Sequence, residues 1–192
     1  MLLQLTPQAM PEGYGEGLIP RSIAKAHLTI DAEVTEFDAL IDVFRDAAID
    51  AVEKYTNLFL APRLGVVAGF SCFGPSMRVG RGPDATVAVT AIGYVASDGT
   101  AAALVDGDWR VLPGGTLSPA IGTTWPRSYG GVTVTFSAGF PVGACPPGLL
   151  AAARMFMTHL WENREAVVTQ GVNVELSLGF RTLCDLHRMP VL

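Results

Sequence analysis

The sequence predicts an α+β fold, a small helical bundle carrying an inserted antiparallel β module. Three observations predict it. Apolar residues recur at helical spacing from about Thr35 to Asn57, and again after Pro146-Pro147. Between Leu60 and Gly143 the pattern changes to short runs punctuated by Gly and Pro. The resulting order, helix–helix–strands–helix–helix, segregates the strands into one block instead of alternating them with helices.

The chain has 192 residues with a formal net charge of −5. Apolar residues make up 49% and charged ones 16%, against roughly 25% charged in an average soluble domain. That composition excludes global disorder and supplies enough apolar material for a core. Low charge density with high apolarity also points to surface buried against other chains. A membrane span is not expected: the longest apolar stretch, Gly148 to Trp161, contains Arg154 and falls short of the ~18–20 residues needed. The opening Met-Leu-Leu-Gln-Leu has neither a basic leader nor a long apolar run, which predicts no secretory signal. Cys72, Cys145 and Cys184, odd in number and widely spaced, read as free thiols of a reducing cytoplasm. An acidic chain with no basic stripe is a poor nucleic-acid binder.

Residues 1–20 read as an irregular arm, with Pro7, Pro11 and Pro20 among Gly13, Gly15 and Gly17. Residues 21–192 read as a single domain: helices over 21–58, a β insertion over 60–143 and helices over 146–188. Ser22 is a plausible cap for a short helix whose Ile23, Ala26 and His27 share a face up to Ile30. Phe37, Leu40, Ile41, Phe44, Ala48, Val52 and Tyr55 then fall on one face of a long helix. Strands are expected over Leu64–Phe70, Val87–Ala96, Ala102–Val105, Trp109–Leu112 and Val132–Phe136, five or six in all. Ser97-Asp98-Gly99 and Asp106-Gly107 supply hairpin turns, and Val132, Val134 and Phe136 alternate with Thr133 and Thr135. Pro147 suits the first turn of a helix, where a missing N–H is harmless. Leu149, Ala153, Phe156 and Leu160 form its stripe, flanked by Leu150, Met157 and Trp161, to about Val167. A polar break from Thr169 to Asn173 precedes a terminal helix near Leu178 to His187.

Catalytic chemistry is not legible. Cys184 and His187 make a C-x-x-H pair, half of a zinc site, without a second pair at suitable spacing. His27 and His159 fit helical packing, and there is no Gly-x-Ser-x-Gly. Gly80–Gly82, Gly114-Gly115 and Gly130-Gly131 lack the order of a phosphate loop and read as turns between strands. No enzyme activity, metal or cofactor is therefore expected.

Charge placement says more. Residues 1–58 carry 4 basic and 10 acidic groups, net −6, while residues 59–145 are net +1 and residues 146–192 net 0. Asp38, Asp42, Asp46 and Asp50 recur every fourth residue along the long helix, a spacing at which like charges repel by a few tenths of a kcal/mol per pair. Either they form a solvated outer face, or they face passing DNA or the arginines of a neighbouring subunit. Glu162, Arg164 and Glu165, in Trp161-Glu-Asn-Arg-Glu165, either end a helix or make salt links across a subunit boundary.

Ala24-Lys25-Ala26-His27-Leu28 before the acidic helix, the Trp109-Arg110-Val111 strand, Val132 to Gly139, Pro147 and Trp161 to Glu165 together resemble the head–tail connector (adaptor) proteins of tailed phages. The resemblance covers roughly Ile19 to Arg188 and rests on order and spacing. A related protein occurs in gene transfer agents. The resemblance implies a small helical bundle with a β insertion, assembled as a ring, usually twelve-fold, beneath the portal protein. Such a ring joins the portal to a downstream stopper or tail protein and leaves a passage for DNA, which goes through without specific binding. It implies a place in the virion neck, with assembly in the host cytoplasm. It also implies that the C-terminal segment reaches the portal. Here that segment is Leu178 to Leu192, with Phe180, Leu183, Leu186 and Met189 as apolar candidates; weakly tethered through the polar break, it either packs on its own subunit or is flexible or differently placed until the portal binds. The Pro/Gly-rich arm has no clear counterpart in the family.

Two other readings compete. One is a stopper or tail-completion protein. The other is a small ligand- or glycan-binding module presenting Tyr94, Trp109, Trp125 and Tyr129 from its β insertion.

Overall fold

The computed structural model describes residues 2–5, 9–75, 77–163 and 178–189. The fold is α+β, and the chain divides into two compact units. One is helical, Met10–Ala61 with Val142–Met189; the other holds the strands, Met1–Ala9 with Pro62–Pro141 and Pro190–Leu192. The expected single body over 21–192 with an irregular arm is thus divided differently. Residues 1–20 carry a strand, Leu2–Leu5, and a short helix, Tyr14–Leu18.

The helical unit contains α1 (Tyr14–Leu18), α2 (Arg21–His27), α3 (Asp38–Thr56), α4 (Pro147–Glu162) and α5 (Leu178–Asp185). Helix α3 is its centre and touches each of the other four. It buries Ile41, Ala48, Ile49 and Val52 in a helical stripe, and with them Arg45, Glu53 and Thr56. Asn57, in the left-handed region at φ 60°, ends it. Helix α4 starts at Pro147 as expected and buries Leu149, Ala152, Ala153 and Met157. Met157 and Ala152 thus take the inward positions expected of Phe156 and Leu160, which are half-buried. Phe156 is half-buried and meets Phe180 of α5, ring centroids 5.5 Å apart. Among the described residues α4 ends at Glu162, where the Asn163 side chain donates to the His159 carbonyl at 2.9 Å; the expected extension to Val167 and the polar break lie outside them.

Helix α2 does not bury the predicted face. Ile23 is 46% exposed, and Ala26 and His27 are exposed, while Ala24, Lys25 and Leu28 are buried. The lysine stem fills the apolar position and its ammonium reaches polar partners, a behaviour that hydrophobic periodicity cannot foresee.

The strand unit has eight strands among the described residues: β1 (Leu2–Leu5), β2 (Arg63–Phe70), β3 (Met77–Arg78), β4 (Ala88–Ala96), β5 (Ala101–Ala103), β6 (Trp109–Leu112), β7 (Thr116–Pro119) and β8 (Ser128–Ala138). They form a five-stranded sheet, β1-β2-β8-β4-β5, and a three-stranded sheet, β3-β7-β6, antiparallel throughout. The long strand β8 is central to the first sheet. Its Val132, Val134, Phe136 and Ala138 are buried while Thr133, Thr135 and Ser137 face the other way, the alternation the sequence predicts.

Ser97-Asp98-Gly99 joins β4 to β5 as expected. Asp98 Oδ1 accepts the Thr100 hydroxyl and backbone N–H at 2.7 and 3.0 Å, bonds that hold its carboxyl below the usual carboxylate range. Asp106-Gly107 is not a hairpin turn, because β5 and β6 belong to different sheets. Gly130-Gly131 is not a turn either; both glycines lie inside β8. Gly114-Gly115 does turn β6 into β7. Gly80 and Gly82 serve close backbone crossings. A Cβ on Gly80 would lie 2.6 Å from the Gly114 carbonyl oxygen, and one on Gly82 would lie 2.8–2.9 Å from the backbone N, Cα and C of Gly139.

Backbone cannot give way as a side chain can. Gly82→Ala should therefore cost about 1–3 kcal/mol of stability in urea unfolding. Gly17→Ala, where a Cβ meets nothing within 4 Å, should be neutral or stabilising by up to ~1 kcal/mol.

Candidate functional site

The four aspartates of α3 are not bare. Arg21 of α2 forks onto Asp42, its Nε 3.1 Å from Oδ1 and its Nη2 on Oδ2, and reaches Asp38 Oδ2 at 3.3 Å. Lys25 Nζ lies 2.7 Å from Asp38 Oδ1 and donates to the carbonyls of Ala32 and Val34 at 3.1 and 2.7 Å. Arg45, within α3, reaches Asp42 at 3.0 Å, Asp46 at 2.9 Å and Glu16 of α1 at 2.6 Å. Asp50 pairs with Lys54 at 2.6 Å, one turn on. The side chains of Lys25 and Arg45 are only 7% and 6% exposed, so these ions are screened far less than a surface pair.

Cations thus interleave the carboxylates and remove the repulsion the sequence implied. The forked hydrogen bond from Arg21 holds the Asp42 carboxyl below its ordinary range, and the same bond raises the Arg21 guanidinium above its own. Part of this was readable: Arg45 stands three residues after Asp42, and Lys54 four after Asp50. Arg21 and Lys25 are also four apart, matching Asp38 and Asp42 on the facing helix.

A second polar cluster escaped the sequence reading. The Tyr14 hydroxyl donates to Glu53 Oε1 and accepts the Ala61 N–H at 2.9 Å, while the Leu60 N–H donates to the same carboxylate oxygen at 2.8 Å. Tyr14 and Glu53 are both buried. The carboxylate is held by fixed donors, an arrangement that fastens α1 and the 58–61 segment to α3.

The C-terminal candidates are mostly spent within their own unit. Phe180 is 1% exposed, edge-on to Tyr55 of α3 at 5.6 Å and against Phe156 of α4. Tyr55 donates to Asp185 at 3.0 Å, which raises its hydroxyl above the ordinary range, and Arg188 lies 5.1 Å from its ring centroid. The Met189 N–H donates to the Thr56 carbonyl at 2.9 Å, satisfying an end carbonyl of α3, and Asn57 donates to the Met189 carbonyl at 3.1 Å. Leu183 and Met189 are half-buried and Leu186 is 76% exposed. Of the candidates Phe180, Leu183, Leu186 and Met189, only Phe180 is buried; its inward partner is Cys184, one turn on. Residues 190–192 lie outside the described residues.

Glu162 is exposed, and Trp161 packs edge-on against Phe37 and Phe44 with centroids 5.6 and 6.4 Å apart. Arg164 and Glu165 lie outside the described residues. Burial pushes the Cys184 thiol up to about 11, and burial with the nearby Glu53 charge pushes Cys145 up to about 12, so neither is a thiolate near neutral pH. Among the described residues no group of three or more His, Cys, Asp or Glu could hold a metal ion. Among them, too, no helix is long and apolar enough to cross a membrane. His27 is exposed and unlike the packed histidine expected; His159 lies along Phe156. Of the aromatics, Tyr94 and Trp125 both pack on Phe73, at 5.3 and 5.0 Å, and Tyr129 is 82% exposed.

No family model matches this sequence, and no curated protein does. Solved structures do. A chain from the neck of an empty GTA particle, computed with C6 symmetry, is 22% identical over 99% of this chain and 98% of its own, with a TM-score of 0.71. A chain from the virion of a native gene transfer agent (GTA) particle gives 22% over the same shares and 0.72. A third, from the neck of a native GTA particle computed with C12 symmetry, gives 24% and 0.65, again over 99% and 98%. The chain has the fold of these neck and virion chains over 99% of its length.

Two outcomes follow from this geometry. A depressed carboxylate stabilises the fold above the ordinary carboxylate range, and that contribution is lost as the pH falls through the lowered folded value of Asp42. The urea midpoint should drop on acidification through that range, and Asp42→Asn should flatten part of the drop. Separately, Phe180→Ala should cost about 3–5 kcal/mol, while Leu186→Ala should stay within ~0.5 kcal/mol; equal losses in thermal unfolding would contradict the placement of α5.

Proposed function

We propose that this protein is a structural subunit of the neck of a tailed-phage-like particle, a head–tail connector (adaptor) forming a ring below the portal. One observation carries the reading: the likeness to neck chains spans nearly all of both chains, strand unit and helical unit together. The C6 and C12 symmetries of those necks favour a homo-oligomeric ring, with twelve copies as the expected number. A closed ring needs two different, complementary patches on each subunit. Exposed apolar side chains on both units, among them Ile23, Val43, Ile121 and Tyr129, are compatible with that.

The portal is the proposed partner on one side and a stopper or tail protein on the other, with DNA passing through unbound. The site of action is the virion, after assembly in the host cytoplasm. Leu186, with half-buried Leu183 and Met189, is the proposed portal-facing set; Phe180 acts as its anchor and reaches a partner only if α5 leaves its groove. Glu162, Arg164 and Glu165 remain proposed subunit contacts. For the acidic stripe, Asp46 and Asp50, 43% and 45% exposed, are the members open to a channel or neighbour. No catalytic role is proposed, since the buried thiols are protonated near neutral pH and Glu53 Oε1 is held by Tyr14 and the Leu60 amide. A glycan-binding module is disfavoured because Tyr94 and Trp125 are consumed by packing on Phe73.

Deleting the gene from a particle-producing genome should leave DNA-containing heads without tails, seen by electron microscopy, with wild-type tails accumulating free. Normal tailed particles would sink the reading. Purified protein should also form rings at high concentration or on added portal; a species that stays monomeric under both conditions counts against it.

A further inference from the structure

We propose that α2 is a clasp held on α3 by charge, which opens as a unit when its ions are screened. The proposal stands apart from the neck reading. Few apolar groups fix this helix: Ala24 is buried and Leu28 follows at its end, while Ile23 is 46% exposed and Ala26 and His27 face solvent. Seven residues make less than two full helical turns, too few to be stable alone. What holds α2 is ionic. Arg21 grips Asp42 and Asp38, Lys25 grips Asp38, and Glu16 accepts the Arg21 backbone N–H at 3.1–3.2 Å while bound to Arg45. Lys25 also pins the following loop through the Ala32 and Val34 carbonyls, so the loop moves with the helix.

Opening strands no buried charge. Arg45 keeps Asp42 and Asp46, both on its own helix, whether or not α2 is in place. Arg21 is already 42% exposed, and the long stem of Lys25 carries its ammonium to water. Helices α3, α4 and α5 are joined differently, by Ile41, Ala48, Ile49 and Val52 of α3, by Leu149, Ala152, Ala153 and Met157 of α4, and by Phe180. Salt weakens the Arg21 fork, which is 42% exposed, more than the sheltered Lys25 pair, and leaves the apolar contacts of the bundle unweakened. The closed clasp withholds Asp38 and Asp42 from any cation of another chain; the open one presents them.

Hydrogen–deuterium exchange of the full chain at constant neutral pH tests this, in low salt and in about 1 M NaCl, where screening acts within ~3 Å. Peptides covering 21–34 should exchange about tenfold faster in high salt, the ratio that ~1.4 kcal/mol of lost contact gives. Peptides of α4 and β8 should not change. The double variant Asp38→Asn with Asp42→Asn should show the fast exchange already in low salt, with little further response. Asp50→Asn, which breaks only the Lys54 pair on the same helix, should behave as the parent. Exchange of 21–34 that ignores salt overturns the clasp. So does exchange that rises together with α4, since that is unfolding of the whole bundle.

Discussion

Helix α3 buries an arginine and a glutamate, and neither can stay buried without partners close enough to replace water. That demand organises the helical unit. Around Arg45 it draws Glu16 from α1 and Asp42 and Asp46 from its own helix, and through Asp42 it recruits Arg21 of α2. Around Glu53 it draws Tyr14 and the amide of Leu60. The short helices α1 and α2 thus have addresses on α3 written in charge and hydrogen bonds more than in apolar area.

The two ends of α3 consequently differ in kind. Its first half meets its neighbours through ions, with Arg21 partly open to solvent and Lys25 and Arg45 sheltered. Its second half meets Phe180, the Met189 amide and the chain at Leu58 to Leu60 in apolar or fully hydrogen-bonded surroundings. Broken buried contacts cost more than screened surface ones, so local opening belongs to the first half.

In the strand unit the governing constraint is backbone proximity. Glycines at 80, 82 and 115 stand where two chain segments cross with no space for a Cβ. The Gly content that reads in sequence as a set of turns is divided between turning and crossing, and two glycines sit inside β8. A side chain's absence has the same spelling for all three uses. Only the neighbour across the gap tells them apart.

By itself the sequence determined the fold class, the long helix, the Pro147 start of α4, the Val132–Phe136 alternation and the existence of α5. Each is set by period, by proline geometry or by a residue's direct neighbours along the chain. The resemblance to connector proteins, carried by order and spacing, anticipated a shared fold from about Ile19 to Arg188; it offered no counterpart for the arm, which the solved neck chains also cover. Tertiary structure alone decided which face each short helix buries, why Phe180 points inward, and what the aspartate stripe touches. Those outcomes depend on groups distant in sequence, as with Lys25 and Asp38, Tyr14 and Glu53, or Tyr55 and Asp185. A periodicity records how apolar a position is; it carries no record of the partner that makes a buried charge affordable.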